Sequence, residues 1–193
     1  DSLSQQQCVN IAEENRFHIA AFLIPKGRCI PLHDHPGMSV FSKLIKGSLE
    51  VKSFSKILAA DNNNKGVLRA SLVNHTVKTT ADAAWVATAT EGNIHEFTAR
   101  EDCVVLDVLL PPYRHPDRPC TFYSARICAS KEKESNGGNS GSTRRGISGI
   151  GAVEGDKEDE IWELLRVSEE EMYRKHGLPV AVKYNGYVPH RKK

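Results

Sequence analysis

An all-β protein, its antiparallel strands closing into a sandwich or barrel, is what this 193-residue sequence predicts. Three observations point there. Short runs rich in Val, Ile, Phe and Thr recur from the N-terminal region to about residue 127, divided by clusters of Gly, Pro, Asn or Asp. Several runs alternate apolar with polar residues, as strands buried on one face do. No convincing amphipathic helix separates them, although a parallel sheet would need such crossovers. Closure of the sheet on itself then hides unpaired edges.

In chain order the predicted strands are "FHIAAFLIP" (17–25), "MSVFSKLI" (38–45), "SLEVKSF" (48–54), "VLRASLVN" (67–74), "AWVATA" (84–89), "HEFTA" (95–99), "CVVLDVLLP" (103–111) and "TFYSARI" (121–127). From Lys131 to Glu160 the sequence turns to Gly, Ser and charge with almost no large apolar groups, which predicts a long flexible loop inserted in one domain spanning residues 1–193. A short C-terminal helix follows. Ser168 and Glu171 have capping-box spacing, Gly177 suits the C′ position, and Pro179 blocks continuation. The stretch "VAVKYNGYVP" (180–189) is predicted as a last strand returning to the sheet.

The charge balance removes one functional class. With 26 basic and 24 acidic side chains mixed along the chain, a net charge of +2 creates no strong field for a nucleic-acid backbone. Arg144 with Arg145 and the terminal Arg191, Lys192 and Lys193 read as solvated clusters, so no nucleic-acid partner is expected. Cys8, Cys29, Cys103, Cys120 and Cys128 are odd in number and form no C-x-x-C pair. That argues against a disulfide framework or zinc knuckle and for a reducing compartment. No apolar run is long enough to cross a bilayer, and residues 1–10 lack the basic-then-apolar order of a secretory signal. The chain opens without Met, as a trimmed or mature protein does, and no membrane partner is expected.

The chemistry lies in "CIPLHDHPGMSVFSKLIKGSLEVKSF" (29–54), which places His33 and His35 one residue apart. On a strand, residues i and i+2 share a face, so both imidazoles can converge on one point. Taken alone, H-x-H fits a histidine pair at a barrel rim as well as a metal site. His95, in "TEGNIHEFTA", is the best third ligand because a turn at Gly92 and Asn93 leads straight into a strand. His18, His75, His115, His176 and His190 read as structural or solvated, with His176 placed to complement a helix C-terminus.

These residues resemble the cupin motifs. Two histidines, four intervening residues, a position usually held by Glu and then a glycine six residues on correspond to His33, His35, Val40 and Gly47, while "GNIH" resembles the G-x-x-H of the second motif through Gly92 and His95. Thr90 stands where proline is common and Ala99 where asparagine often is. The blocks "PLHDHPGMSVFSKLIKGSLEVKSF", "GNIHEFTA", "VVLDVLLPPY" and "CTFYS" resemble the plant cysteine oxidases and cysteamine dioxygenases, thiol dioxygenases that lack the glutamate. The likeness runs from about Phe17 to Tyr123 and resumes more weakly from Ile161 to Pro189. It implies an antiparallel cupin jelly-roll barrel holding iron(II), Fe(2+), through His33, His35 and His95, with Asp107 and Tyr113 near the metal.

Physical chemistry gives that ligand set a reason. Three neutral imidazoles leave iron(II) doubly positive, where two histidines and a carboxylate would already cancel one charge. Val40 keeps that charge available for a substrate thiolate, whose pKa falls beside a cation. Asp107 interrupts an apolar run, so it is either an outward-facing strand residue or a buried acceptor that orients a histidine, a water or a substrate amine. Tyr113 either donates to the site or packs at the barrel mouth. Phe122, two residues after Cys120, has no phenol, so the Cys–Tyr crosslink of some relatives is not expected at that spacing. No arginine flanks the metal motifs to grip a free amino-acid carboxylate, although Arg69, Arg100 and Arg126 could fold into place.

The function the resemblance implies is oxidation of the N-terminal cysteine of proteins or peptides to the sulfinic acid, with O2 as co-substrate. It further implies oxygen sensing through the N-degron pathway in the cytoplasm or nucleus. A monomer is expected. Three rivals stand beside it: a dioxygenase of cysteamine or free cysteine, a zinc hydrolase using the same three histidines, and a cupin that binds without turnover.

Overall fold

In the computed structural model, residues 3, 5–57, 66–128 and 160–176 are described. Eleven strands and one helix occupy them: β1 Gln7–Glu13, β2 His18–Ile24, β3 Cys29–His33, β4 Ser39–Lys46, β5 Ser48–Lys56, β6 Val67–Thr79, β7 Trp85–Ala87, β8 Ile94–Ala99, β9 Cys103–Leu110, β10 Phe122–Ile127, β11 Ile161–Val167 and α1 Glu169–His176. All strand pairings are antiparallel. A five-stranded sheet runs β1-β2-β9-β4-β7, and β10-β11-β6-β5-β8-β3 close into a barrel. The all-β cupin architecture expected from the sequence is therefore present.

Alternation builds the core. Inward residues of β2, β4, β5, β8 and β9 supply Phe22, Leu44, Leu49, Val51, Phe97 and Val105 to one buried cluster, each large side chain contributing roughly 1.5–3 kcal/mol on burial. A second cluster joins Leu32, Phe54, Ile94, Tyr123 and Leu164 inside the closed barrel. Gly47 makes the β4–β5 turn possible. Its φ of 89° lies in the left-handed region, and a Cβ there would stand 2.5 Å from the Asp102 carbonyl oxygen.

Each predicted strand appears, with "AWVATA" shortened to Trp85–Ala87 and "VLRASLVN" lengthened to Thr79. Three strands arise outside the predicted eight: β1, β3 and β11. Pro31 sits inside β3 without an N–H to give, and the β3–β8 register shifts between Ile30 and His33. The helix begins as expected, with Ser168 Oγ accepting the Glu171 N–H at 3.1 Å. The predicted loop at 131–159, the Gly177 cap and the strand at 180–189 lie outside the described residues.

Candidate metal centre

Register brings two of the histidines together. His33 ends β3 and is the direct cross-strand partner of both His95 on β8 and Phe122 on β10, so its ring lies 5.0 Å, centroid to centroid, from that of His95. The third arrives differently from the expectation. β3 stops at His33, and His35 stands beyond it in a turn closed by the Met38 N–H donating to the His35 carbonyl at 3.0 Å. Asn93 clamps this turn. It accepts from the His35 backbone N–H at 3.1 Å, and its Nδ2 donates to the His35 carbonyl at 2.8 Å and to that of Thr88 at 2.9 Å. Asp34 fixes the other side: its backbone N–H donates to the Thr121 carbonyl at 3.1 Å, and its carboxylate accepts from the Thr121 N–H at 2.8 Å and from the Tyr123 hydroxyl at 2.9 Å.

The outer nitrogen contacts aim the inner ones. His33 Nδ1–H donates to the Pro31 carbonyl at 2.7 Å, and the Gly92 backbone bonds the His95 ring. Tyr113 donates its hydroxyl to the Asp34 carbonyl at 2.6 Å and accepts from His35 Nδ1–H at 2.7 Å. With protons held at Nδ1, the Nε2 lone pairs of His35 and His95 face each other 3.2 Å apart. Two lone pairs at that distance repel unless a cation lies between them. Nitrogens bound at about 2.1 Å on adjacent corners of one ion stand ~3 Å apart, so the spacing fits a shared metal.

His33, His35 and His95 are all buried, with ligand atoms within 4.8 Å of one another, the one such group among the described residues. Burial drives His33 down to about 4 and His95 to about 3, and pushes His35 well below its ordinary value, helped by the neighbouring rings. All three are neutral near pH 7, the form that ligates. His95 stacks on Phe97 at 4.8 Å with the planes 5° apart, and this apolar backing holds the ring in place.

A cavity of about 290 Å³ lies beside the rings and reaches the surface at Glu13, His115, Pro119 and Glu169. Tyr113 and Asp107 both line it, and Tyr113 additionally touches His35. Asp107 is 4% exposed and faces inward from β9. Ser42 hydrogen-bonds one side of the carboxylate while burial pushes its pKa up to about 7, and Oδ1 has no partner among the described residues. Val40, at the position where cupins usually carry Glu, is fully buried among Met38, Ala87 and Leu109 with Tyr113 against them. Cys120 lines the cavity, where burial raises its thiol to about 12 and the Tyr113 side chain bonds it.

Several contributors escaped the sequence reading. Arg118 and His18 line the cavity, whereas Arg69, Arg100 and Arg126 do not; Arg100 pairs with Glu50 and Arg126 with Glu163. Asn93 and Asp34 were readable as members of "GNIH" and "HDH", but their clamping role depends on contacts 58 and 87 residues away. His176 departs from its expected role. Burial and Lys175 lower its pKa, and its ring meets Cys29 Sγ at 3.1 Å, so it is not a cation at the helix end near pH 7.

The PCO_ADO family profile matches residues 2–158. The chain is 40% identical over 111 residues to plant cysteine oxidase 1 of Arabidopsis thaliana, covering 56% of this chain and 38% of that protein. It is 36% identical over 115 residues to the probable 2-aminoethanethiol dioxygenase of Dictyostelium discoideum, covering 58% of this chain and 53% of that one. It therefore spans about two fifths to a half of the length of these relatives. A solved RmlC-like cupin protein of Desulfovibrio desulfuricans superposes on 56% of this chain and 84% of its own with a TM-score of 0.41 and 19% identity.

Proposed function

The chain belongs to the PCO_ADO family, and from that premise we propose that it is an iron(II)-dependent thiol dioxygenase oxidising the N-terminal cysteine of proteins to cysteine sulfinic acid. The observation that carries this reading is the convergence of His33, His35 and His95 beside a cavity, with Val40 where a carboxylate would stand. A carboxylate-free set of neutral ligands leaves room in charge for one anionic sulfur. Overall, R–SH and O2 combine to R–SO2H: sulfur gives up four electrons, dioxygen accepts them, and both oxygen atoms end on sulfur. Iron(II) held by the three rings would supply the redox chemistry of that union.

The chain's own residues do the rest. His33, His35 and His95 present Nε2, each ring oriented by an outer hydrogen bond to Pro31, Tyr113 or Gly92. Tyr113 cannot turn away from His35 without breaking its bond to the Asp34 carbonyl. Ile30, Phe97, Leu109 and Phe122 give the cavity apolar lining, which limits water at the reacting groups. The exposed rim at Glu13, His115 and Pro119 leaves an exit for the remainder of a peptide chain. Arg118, on the lining, donates its Nε–H to the Pro112 carbonyl at 2.8 Å, so one edge of its guanidinium is committed to the backbone.

The role follows from the substrate. A dioxygenase of N-terminal cysteines couples oxygen supply to the fate of its target through the N-degron pathway, and we place it in the cytoplasm or nucleus as a monomer. The test is product mass spectrometry on iron-loaded enzyme given a Cys-initiated peptide and cysteamine under labelled dioxygen. The expected product is the peptide with two added oxygen atoms, both labelled. Preferential oxidation of cysteamine moves the assignment to small thiols, and absence of oxidation with every thiol refutes it.

A further inference from the structure

One wall of the cavity holds two buried atoms that no described residue satisfies. They are Asp107 Oδ1 on β9 and His18 Nε2 on β2, both on residues lining the cavity. The sheet register relates them. His18 pairs with Leu109 and Ala20 with Asp107, so His18 and Asp107 are diagonal neighbours on adjacent antiparallel strands and on one face. Diagonal neighbours lie roughly 7–8 Å apart, with Cβ atoms somewhat nearer, a gap that one small polar group can bridge and a direct hydrogen bond here does not. Ala20, directly opposite Asp107 and next along the same face from His18, carries only a methyl group. A buried polar atom left unpartnered is costly, and in the Nδ1–H tautomer His18 Nε2 is an acceptor like the carboxylate oxygen, so the wall then suits an arriving donor.

The surrounding charge says which donor. Glu13 pairs with His18 across β1–β2, and Asp107 and Glu169 also line the cavity. Arg118, also on the lining, gives its Nε–H to the Pro112 carbonyl. Burial keeps the His18 imidazole below its ordinary pKa, so near neutral pH it offers a lone pair rather than a second positive charge. An ammonium group has three N–H donors and no acceptor, and it matches a carboxylate and an imidazole lone pair together.

We propose that His18 Nε2 and Asp107 Oδ1 form a two-point receptor for the α-ammonium group of the substrate, with His18 the residue that sets preference for a free amino terminus. The proposal rests on the thiol-dioxygenase reading and deepens it by naming how the amine, not the sulfur, is chosen. His18 acts on specificity and takes no part in the reaction at sulfur. It requires a primary amine near the thiol and is indifferent to a carboxylate, which fits an N-terminal cysteine or an aminothiol.

The test measures binding, so that it survives failure of catalysis. Iron(II)-loaded protein, with oxygen excluded, is titrated calorimetrically with the Cys-Ala-Ala tripeptide amide and with its N-acetylated form. Wild type is expected to favour the free amine by about tenfold or more, the scale of one charge-assisted hydrogen bond. In His18→Leu the preference should fall most of the way to parity, while His18→Gln, whose Oε1 can still accept, should retain most of it. Equal affinity of wild type for the two peptides overturns the proposal, as does an unchanged preference in His18→Leu or an equal loss in the Leu and Gln variants. The Ser-Ala-Ala amide pair, tested on metal-free protein, reads the same preference without thiol or iron. A preference there, lost in His18→Leu, upholds the receptor even if no thiol is ever oxidised, and its absence in wild type overturns it.

Discussion

The two halves of the interior are built from the same strands and differ by a few residues. In the sealed half, β3, β8 and β9 contribute Ile30, Phe97, Val105 and Cys103 to an apolar cluster that meets the cavity through Phe22, Ile30 and Phe97 and is closed behind them. In the open half the same strands contribute His33, His95 and Asp107. On β8 and β9 the change takes two residues along one face, Phe97 to His95 and Val105 to Asp107. The difference teaches that the apolar half is the rigid floor on which the polar half is aimed: Phe97 belongs to the sealed cluster and stacks directly on His95. It also accounts for the depressed histidine pKa values, because the floor excludes water from one side of the rings.

The strongest way to break the comparison is to make the polar half resemble the sealed one. His95→Ala removes a buried ring that stacks on Phe97 but is not itself a member of the core cluster, so it should cost some stability while the protein still folds, and should abolish stoichiometric iron binding and oxidation together; metal analysis and oxygen uptake check both. Tyr113→Phe removes the hydroxyl that holds His35 Nδ1 and is expected to cost about 10–100-fold in iron affinity. A competition titration with a chelator reads that loss.

The next prediction concerns pH in metal-free protein. The buried histidines have folded pKa values below 6.5, so the stability they permit is present above pH 6.5 and is lost as pH falls towards about 4, where the native state must take up charge. Asp107 works in the opposite sense. Its folded pKa is raised from 3.8 to about 7, so its contribution declines as pH rises between those values and its penalty is complete above about 7. Asp107→Asn should therefore raise stability at pH 7 and above, by at most ~4 kcal/mol at 1.4 kcal/mol per pH unit, and steepen the acid-side loss. Denaturant titrations from pH 4 to 8 measure both slopes. The smallest effect on the site should come from Gly47→Ala in the sealed half. The left-handed turn and the contact with the Asp102 carbonyl cost about 1–3 kcal/mol of stability, while iron stoichiometry of the folded protein stays that of wild type.

What the sequence disclosed follows the same division. Alternation made the core strands readable, because "SLEVKSF" and "CVVLDVLL" sort their residues two by two between faces. The three histidines were readable from spacing and resemblance as candidate ligands, but the route to their convergence was not. His35 is placed by a turn and by Asn93, not by a continuing strand. β1 was hidden because an edge strand need not alternate; Val9 and Ile11 are 45% and 56% exposed. β11 follows directly on a charged, Gly-rich segment that masks its apolar residues. His18 and Arg118 carry no local signal, since cross-strand pairing and the turn after β9 bring them to the cavity.

The most direct measurement is a crystal of the iron(II)-soaked protein, prepared without oxygen and recorded at the iron absorption edge. One anomalous peak is predicted within bonding distance, about 2.2 Å, of Nε2 on His33, His35 and His95 together. A peak held by other residues, or a site that retains zinc and refuses iron, would contradict a ferrous centre built from these three rings.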